Sequence, residues 1–274
     1  MESFIYQSPA DQWPIHAYSW SVAPARGTVV IAHGMAEHAL RYKRLVNALN
    51  AAGLSVLAMD HRAHGLTSGP AGLGDFGKAG WDALVADLDP LVERAHAGGL
   101  PVIMLAHSMG AAAAQHYVTD HGAKLAALVL SGTTLRNPGQ PMPDYNAAFE
   151  SRTGYEWLSR DPTEVDFYVN DPLCGFEGQA VINGMDRTDP RRIDPARLAR
   201  IPAELPVLLI AGDADPVNDS LQGLHYFVQC WRAAGVQSID CHYYQDGRHE
   251  MFNEINRDEV TRDLLTWIEA TVFA

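Results

Sequence analysis

The strongest constraint on the fold is an alternation of short apolar runs with longer amphipathic segments. Residues 28–33, 54–60 and 205–212 are rich in β-branched and aliphatic side chains and lack alternating polar positions. Strands buried on both faces have this character, and the helical segments between them supply parallel crossovers. The pattern predicts a mostly parallel, doubly wound α/β sheet. Two earlier runs, 4–7 and 15–21, alternate apolar with polar residues and predict an antiparallel amino-terminal edge.

Residues 133–202 differ from the rest of the chain in their pattern of apolar and polar residues. Apolar runs shorten there, and Pro, Gly, Asp and Arg become frequent among scattered aromatics. The segment is too long for a bare loop and contains several candidate helices. We therefore expect a helical cap at 133–202, inserted into a core formed by residues 1–132 and 203–274.

The net charge and the cysteine content argue against several classes of function. A net charge of -13 argues against binding to nucleic acid phosphates or anionic membranes. The three cysteines lack metal-binding or disulfide spacing, so we expect no metal and no cofactor. The chain shows neither a signal-peptide pattern nor a run long enough to span a membrane, which favours a cytoplasmic location without stable membrane insertion. The oligomeric state stays open.

A serine stands where a predicted strand meets a predicted helix, within Ala106-His107-Ser108-Met109-Gly110. The pentapeptide approximates G-x-S-x-G, in which a tight strand-to-helix turn lifts a serine hydroxyl above the sheet. Residues two before and two after the serine must be small because larger side chains would collide in that turn. An apolar strand before it and a small-residue helix after it favour a nucleophilic Ser108 over a simple helix cap.

A serine hydroxyl needs a base to remove its proton and an acid to orient that base. Loops at the carboxyl ends of parallel strands share one crevice, so both partners are expected after later strands. The loop that begins at residue 213 offers Asp215 as the first choice, with Asp219 and then Asp213 as alternatives. His249 lies on a glycine-containing loop between the last predicted strand and helix and is the candidate base.

The loop after the first parallel strand reads HGMAEH at residues 33–38, and we call it the oxyanion loop. Its glycine allows the backbone to approach the site closely. The backbone N–H groups of Met35 and Met109 are the candidate donors to a developing oxyanion.

Six motifs together resemble the monoacylglycerol lipase and lysophospholipase group of α/β-hydrolases, which overlaps the serine aminopeptidase S33 type. They are HGMAEH (33–38), DHRAHGLTSG (60–69), AHSMG (106–110), NDPLC (170–174), GDADPV (212–217) and GRHEMFNE (247–254). The resemblance implies the α/β-hydrolase fold, with Ser108 as nucleophile, Asp215 as orienting acid and His249 as base. It also implies that Met35 and Met109 supply the oxyanion hole.

Two positions depart from the family pattern. Ala106 and Ala63 stand where the family usually has glycine, and both keep a small side chain, so we expect altered loop packing with the chemistry retained. Near the oxyanion loop, Arg62 is expected to hold that loop by charged hydrogen bonds to Glu37 and Asp60.

The resemblance implies a lid-type cap that forms an acyl tunnel. Its candidate wall residues are Phe149, Trp157, Phe167 and Phe176. The cap carries many charges and no strong membrane-docking helix, which favours soluble or micellar esters of short to medium acyl length.

The sequence is compatible with three functions. The preferred one is a serine hydrolase of carboxylic esters such as monoacylglycerols or lysophospholipids, acting on a small-molecule substrate through an acyl-enzyme. An aminopeptidase would need acidic cap residues to hold a free amine. A binding protein on the same fold would need no catalytic residues, and the presence of all three candidates argues against it.

Overall fold

A computed structural model describes residues 1–68, 72–136, 144–176 and 189–274, and a twisted eight-stranded sheet lies at its centre. The strands are β1 (Glu2–Gln7), β2 (Pro14–Trp20), β3 (Gly27–Ala32), β4 (Leu54–Met59), β5 (Val102–His107), β6 (Ala127–Ser131), β7 (Val207–Gly212) and β8 (Ile239–Tyr244). Their order across the sheet is β1-β2-β4-β3-β5-β6-β7-β8. β2 pairs antiparallel with β1 and β4, and the other pairings are parallel. The predicted fold class is confirmed.

Helices connect the parallel strands and cover both faces of the sheet. Those of the described residues are α1 (Lys43–Ala51), α2 (Gly80–Ala86), α3 (Leu88–His96), α4 (Met109–His121), α5 (Pro162–Asn170), α6 (Pro195–Leu198), α7 (Gln222–Ala233) and α8 (Arg257–Val272). The sequence predicts one helix over 79–97, but the structure divides it at Asp87. Pro90 explains the break, because its ring would clash with the carbonyl of Ala86 in a continuous helix.

Side-chain alternation along the central strands builds two hydrophobic layers. On β3, Val30 joins the layer that includes Trp231 of α7, whereas Val29 and Ile31 join the layer that includes Leu264 of α8. β3, β5, β6 and β7 are buried along their whole length. This explains why their sequences lack polar alternation.

The segment between β6 and β7 contains α5 and α6. α5 begins at Pro162 after Asp161, whose side chain accepts a hydrogen bond from the Thr163 N–H. Arg160 pairs with the buried Glu254 at 2.9 Å, and Asp161 pairs with Arg257 at 2.8 Å. These contacts fix the segment to the loop that carries the candidate base. Residues 137–143 and 177–188 of the expected cap lie outside the described residues, as does Gly69 of the second motif.

Within the described ranges, no helix combines the length and the apolar character that a membrane crossing requires.

Candidate active site

Ser108 occupies a strained turn between β5 and α4. Its φ of 52° and ψ of -112° fall outside the regions that non-glycine residues ordinarily adopt. The Ser108 N–H donates to the carbonyl of Ser131 on β6 at 2.9 Å, which helps to hold the turn. A Cβ at Gly110 would overlap the backbone oxygens of Ala32 and His33. Glycine is therefore required two residues after the serine, because α4 approaches the end of β3 closely.

The three side chains selected from the sequence meet at the carboxyl edge of the sheet. His249 Nε2 lies 2.9 Å from Ser108 Oγ, and His249 Nδ1 lies 2.9 Å from Asp215 Oδ2. The other carboxylate oxygen of Asp215 accepts from the Val217 N–H at 2.8 Å. With Nδ1 protonated, His249 donates to Asp215 and leaves Nε2 free to accept the serine proton.

The two alternative acids lie elsewhere on the same loop. Asp213 accepts a hydrogen bond from the Asp246 N–H at 2.7 Å. Asp219 adopts a left-handed conformation, with φ of 55°, at the end of a short 3-10 turn. Within the described residues, neither carboxylate is hydrogen-bonded to His249.

Two buried histidines beside the serine have opposite pKa shifts. Burial alone would lower the pKa of His249, but the Asp215 carboxylate, assisted by Glu250 and Glu37, outweighs it and raises the pKa above its usual value. For His107, burial and the neighbouring His249 outweigh the opposing Glu37 and Glu250 carboxylates and lower the pKa to about 4. His107 is therefore neutral at physiological pH, whereas His249 is poised to accept a proton.

Buried charges stabilise the oxyanion loop. Glu37 accepts hydrogen bonds from the Gly34 N–H and from the Tyr42 hydroxyl. Arg41 bridges Glu37 and Glu250, with each contact at 2.7 Å. Burial would raise the pKa of Glu37, but the Arg41 charge and the loop hydrogen bonds lower it to about 2. The ionised Glu37 carboxylate thus holds the oxyanion loop through its hydrogen bond from the Gly34 N–H.

The sequence-based assignment of this supporting arginine was wrong. Arg62 was expected to contact Glu37 and instead donates to Asp87 at 2.7 Å and to Asp11 at 3.0 Å. Its side chain therefore contacts the β1–β2 connection through Asp11 and the junction of α2 and α3 through Asp87. Arg41 supports the loop instead because it stands four residues after Glu37, on the turn that follows the loop. That spacing is the sequence signal that could have identified it.

Met35 and Met109 line the cavity that contains Ser108. Neither backbone N–H donates a hydrogen bond to another described residue, and Met109 is the first residue of α4. The positive end of the α4 dipole therefore faces the same space as Ser108.

Aromatic side chains from the β6–β7 segment form much of the cavity wall. Trp157 and Phe176 line it, as the sequence suggested. Phe149 lies instead against the Arg248 guanidinium, 4.3 Å from ring centre to Cζ. Phe167 is 62% exposed, because α5 buries Val165 against the core. The wall also includes three tyrosines that sequence reasoning did not select, Tyr145, Tyr155 and Tyr168.

The orientation of α5 decides which of its aromatics reach the cavity. Tyr168 follows Phe167 directly and lies on the buried face of the helix. The two adjacent rings cannot be distinguished by residue type, so only the helical phase could have identified the inward one.

The sheet order, the crossovers and the strand-to-helix serine turn are those of an α/β-hydrolase. Residues 23–256 match the family described as "Serine aminopeptidase, S33". The chain is 32% identical to a monoacylglycerol lipase of Mycolicibacterium smegmatis, over 89% of this chain and 88% of that protein. It is 27% identical to the Homo sapiens monoglyceride lipase, over 89% and 82% of the two chains.

A solved structure extends these similarities. A carboxyl esterase from Bacillus coagulans, crystallised in complex with glycerol, superimposes with a TM-score of 0.89 and 27% identity, covering 99% of this chain and 98% of that one. The chain belongs to the serine aminopeptidase S33 family of α/β-hydrolases. Its relatives support carboxylic-ester hydrolysis as its activity.

Proposed function

We propose that this chain hydrolyses monoacylglycerols and similar short to medium acyl esters with Ser108 as nucleophile. His249 takes the Ser108 proton as Oγ attacks the ester carbonyl, and the backbone N–H groups of Met35 and Met109 stabilise the oxyanion. The imidazolium then protonates the leaving alcohol oxygen as the carbon–oxygen bond breaks, which leaves an acyl-enzyme. A water molecule, deprotonated by His249, attacks the acyl carbon and releases the acid.

The observation that carries this proposal is the continuous hydrogen-bonded series from Ser108 through His249 to Asp215. Both links measure 2.9 Å, and the acid and the base are almost fully buried. Burial in an environment of low polarity strengthens the interaction between the imidazolium and the carboxylate that forms during attack. Ser108 also faces a cavity, so its hydroxyl is accessible to a substrate.

The composition of the cavity wall favours an amphiphilic ester. Trp157 and Phe176 provide apolar surface suited to an acyl chain, and Thr133, Thr134 and Arg192 provide polar groups. A small alcohol with free hydroxyls would match that combination. The names of the M. smegmatis and human relatives and the glycerol in the esterase structure point to the same class of ester.

Aminopeptidase activity is the alternative that the family name raises. A free substrate amine would need a carboxylate in the cavity, and the described part of the β6–β7 segment contributes none to its wall. Glu37 and Glu250 do line the cavity, but both are paired with Arg41. The charges of the described wall therefore favour an ester over an aminoacyl substrate.

Substrate panels distinguish these activities directly. We expect turnover of monoacylglycerols and p-nitrophenyl esters of graded acyl length, and none of aminoacyl p-nitroanilides. Ser108→Ala provides the background rate for every substrate. A higher kcat/KM for the anilides than for any ester would contradict the proposed ester specificity.

A further inference from the structure

A second cluster of chemically reactive side chains lies at the end of the oxyanion loop and takes no part in the proposed mechanism. It consists of His38, Asp171 and Cys174. The His38 ring nitrogen, an Asp171 carboxylate oxygen and the Cys174 sulfur all lie within 4.8 Å of one another. His38 and Cys174 are buried, whereas 30% of the Asp171 side chain is exposed. The cluster therefore has a protected interior and one side open to solvent.

The charges around the cluster favour a bound cation. Burial raises the pKa of the Cys174 thiol, the Arg41 guanidinium opposes that shift, and the carboxylates of Glu37, Asp171 and Glu250 add to it. Arg41 is already paired with both Glu37 and Glu250. Among these four described groups the carboxylates outnumber the guanidinium, and the net negative charge attracts a positive ion.

The donor types restrict which cation fits. Imidazole, carboxylate and thiolate are all ligands of Zn²⁺, whereas Mg²⁺ and Ca²⁺ prefer oxygen ligands alone. His38 Nε2 and Asp171 Oδ2 are 2.9 Å apart. Two ligands bound to one zinc ion at its usual bond lengths lie roughly 3.3–3.7 Å apart. Small side-chain rotations would therefore bring all three donors onto one ion and leave a fourth position for water.

The cluster also joins two functional segments. His38 ends the oxyanion loop, while Asp171 and Cys174 belong to the turn after α5. The Gly175 N–H already donates to the Ala36 carbonyl at 2.9 Å, next to the proposed oxyanion donor Met35. The His38–Asp171 hydrogen bond is a second link, and an ion held by the cluster would replace it with bonds to all three side chains.

We propose that His38, Asp171 and Cys174 form a Zn²⁺ site that links the oxyanion loop to the turn after α5. The site is separate from the Ser108–His249–Asp215 network and does not depend on the proposed esterase activity. Sequence spacing gave no signal for it, because His38 and Asp171 are separated by 133 positions.

Cobalt provides a spectroscopic probe of the site. The full chain, treated with chelator and then titrated with Co²⁺, should show a thiolate-to-cobalt charge-transfer band that saturates at one ion per chain and disappears when Zn²⁺ is added. Cys174→Ser should abolish the band, and His38→Gln should weaken Zn²⁺ affinity at least about tenfold. Cys230→Ser is the matched control, because Cys230 is a free cysteine on α7 and should leave the band unchanged.

Absence of the band in the wild-type chain, or its persistence in Cys174→Ser, would overturn the proposal. Should circular dichroism show that Cys174→Ser does not fold, Asp171→Asn replaces it, because its partly exposed side chain tolerates substitution. Zn²⁺ affinity unchanged in Asp171→Asn would then refute the site. Hydrogen exchange locates the ion: Zn²⁺ should protect residues 34–38 and 171–175, and protection confined to the loops of His107 and His249 would refute the assignment.

Discussion

At the residue scale, Asp215 is held by two contacts at once. One carboxylate oxygen meets His249 Nδ1 at 2.9 Å, and the other accepts the Val217 N–H at 2.8 Å. The second contact restricts rotation of the carboxylate and so helps to keep its other oxygen on His249. Asp213 offers a natural comparison, because it stands two residues earlier and contacts the Asp246 backbone instead.

We predict that Asp215→Asn lowers kcat for ester hydrolysis by about 10³- to 10⁴-fold. An asparagine amide at this position would donate to Nδ1 and hold the imidazole in the tautomer that cannot accept the serine proton. Asp213→Asn should stay within about twofold of wild type, because its amide oxygen can still accept from Asp246. Steady-state kinetics of both variants give the test, and a larger loss in Asp213→Asn would show that the acid was assigned wrongly.

The pKa of His249 predicts the shape of the pH profile. From the sequence alone, kcat/KM is expected to rise with pH through a midpoint near the ordinary histidine pKa of about 6.5. In the structure, the opposing effect of burial is outweighed by Asp215, so the pKa is raised. Since the proposed mechanism uses the neutral imidazole as base, kcat/KM should rise with pH through a midpoint above that value and then flatten. In Asp215→Asn the midpoint of the residual activity should fall; a wild-type midpoint below 6.5 would contradict this account.

At the scale of elements, the position of the serine depends on the close packing of α4 against β3. Gly110 lies in the first turn of α4, where a side chain would overlap the carbonyl oxygens of Ala32 and His33. β3 also leads into the oxyanion loop, so the same contact positions the proposed nucleophile and the proposed oxyanion donors.

Gly110→Ala is predicted to destabilise the fold by about 1–3 kcal/mol or more, because the rigid backbone cannot move aside. Gly98→Ala is the control: it is exposed, and an added Cβ there would meet nothing within 4 Å. Urea unfolding followed by circular dichroism measures both changes. Equal stability of the two variants would show that α4 can shift away from β3.

The strands of the parallel sheet were predictable from the sequence for a physical reason. Strands buried on both faces are apolar throughout, and this sequence pattern does not depend on which side chains pack against them. Helix boundaries depend on local sterics, as the break before Pro90 shows. Side-chain direction depends on tertiary contacts, which is why Arg41 was missed and Arg62 was misassigned as the support of the oxyanion loop.

At the scale of the whole molecule, the sheet edge supplies Ser108, Asp215 and His249, while the β6–β7 segment supplies much of the wall. That Ser108, Asp215 and His249 lie together at this edge was predictable from the sequence, because their motifs follow individual strands; their catalytic roles stay a prediction. The wall was predictable only in part, because the phase of α5 and the course of its flanking turns decide which rings point inward. Trp157 also packs against His249, with ring centres 5.0 Å apart, so the wall and the candidate catalytic site are in contact.

We predict that Phe176→Ala moves the preferred acyl length while hydrolysis of acetate esters is retained. Removing a ring from the wall enlarges the space for the chain and leaves the Ser108–His249–Asp215 network untouched. Phe167→Ala is the matched control, because that ring is mostly exposed on α5. Rates on p-nitrophenyl esters of graded length report the effect. Identical length profiles for the two variants and wild type would remove Phe176 from the acyl wall.

Covalent labelling of Ser108 tests the central claim most directly. The wild-type chain, incubated with a fluorophosphonate and digested, should carry the label on the peptide that contains Ser108 and lose its esterase activity in proportion. Ser108→Ala should fold, take up no label there and lose at least about 10³-fold in kcat for monoacylglycerol hydrolysis. A folded Ser108→Ala variant that still hydrolyses the ester at the wild-type rate, or a wild-type chain labelled only at another residue, would contradict the account.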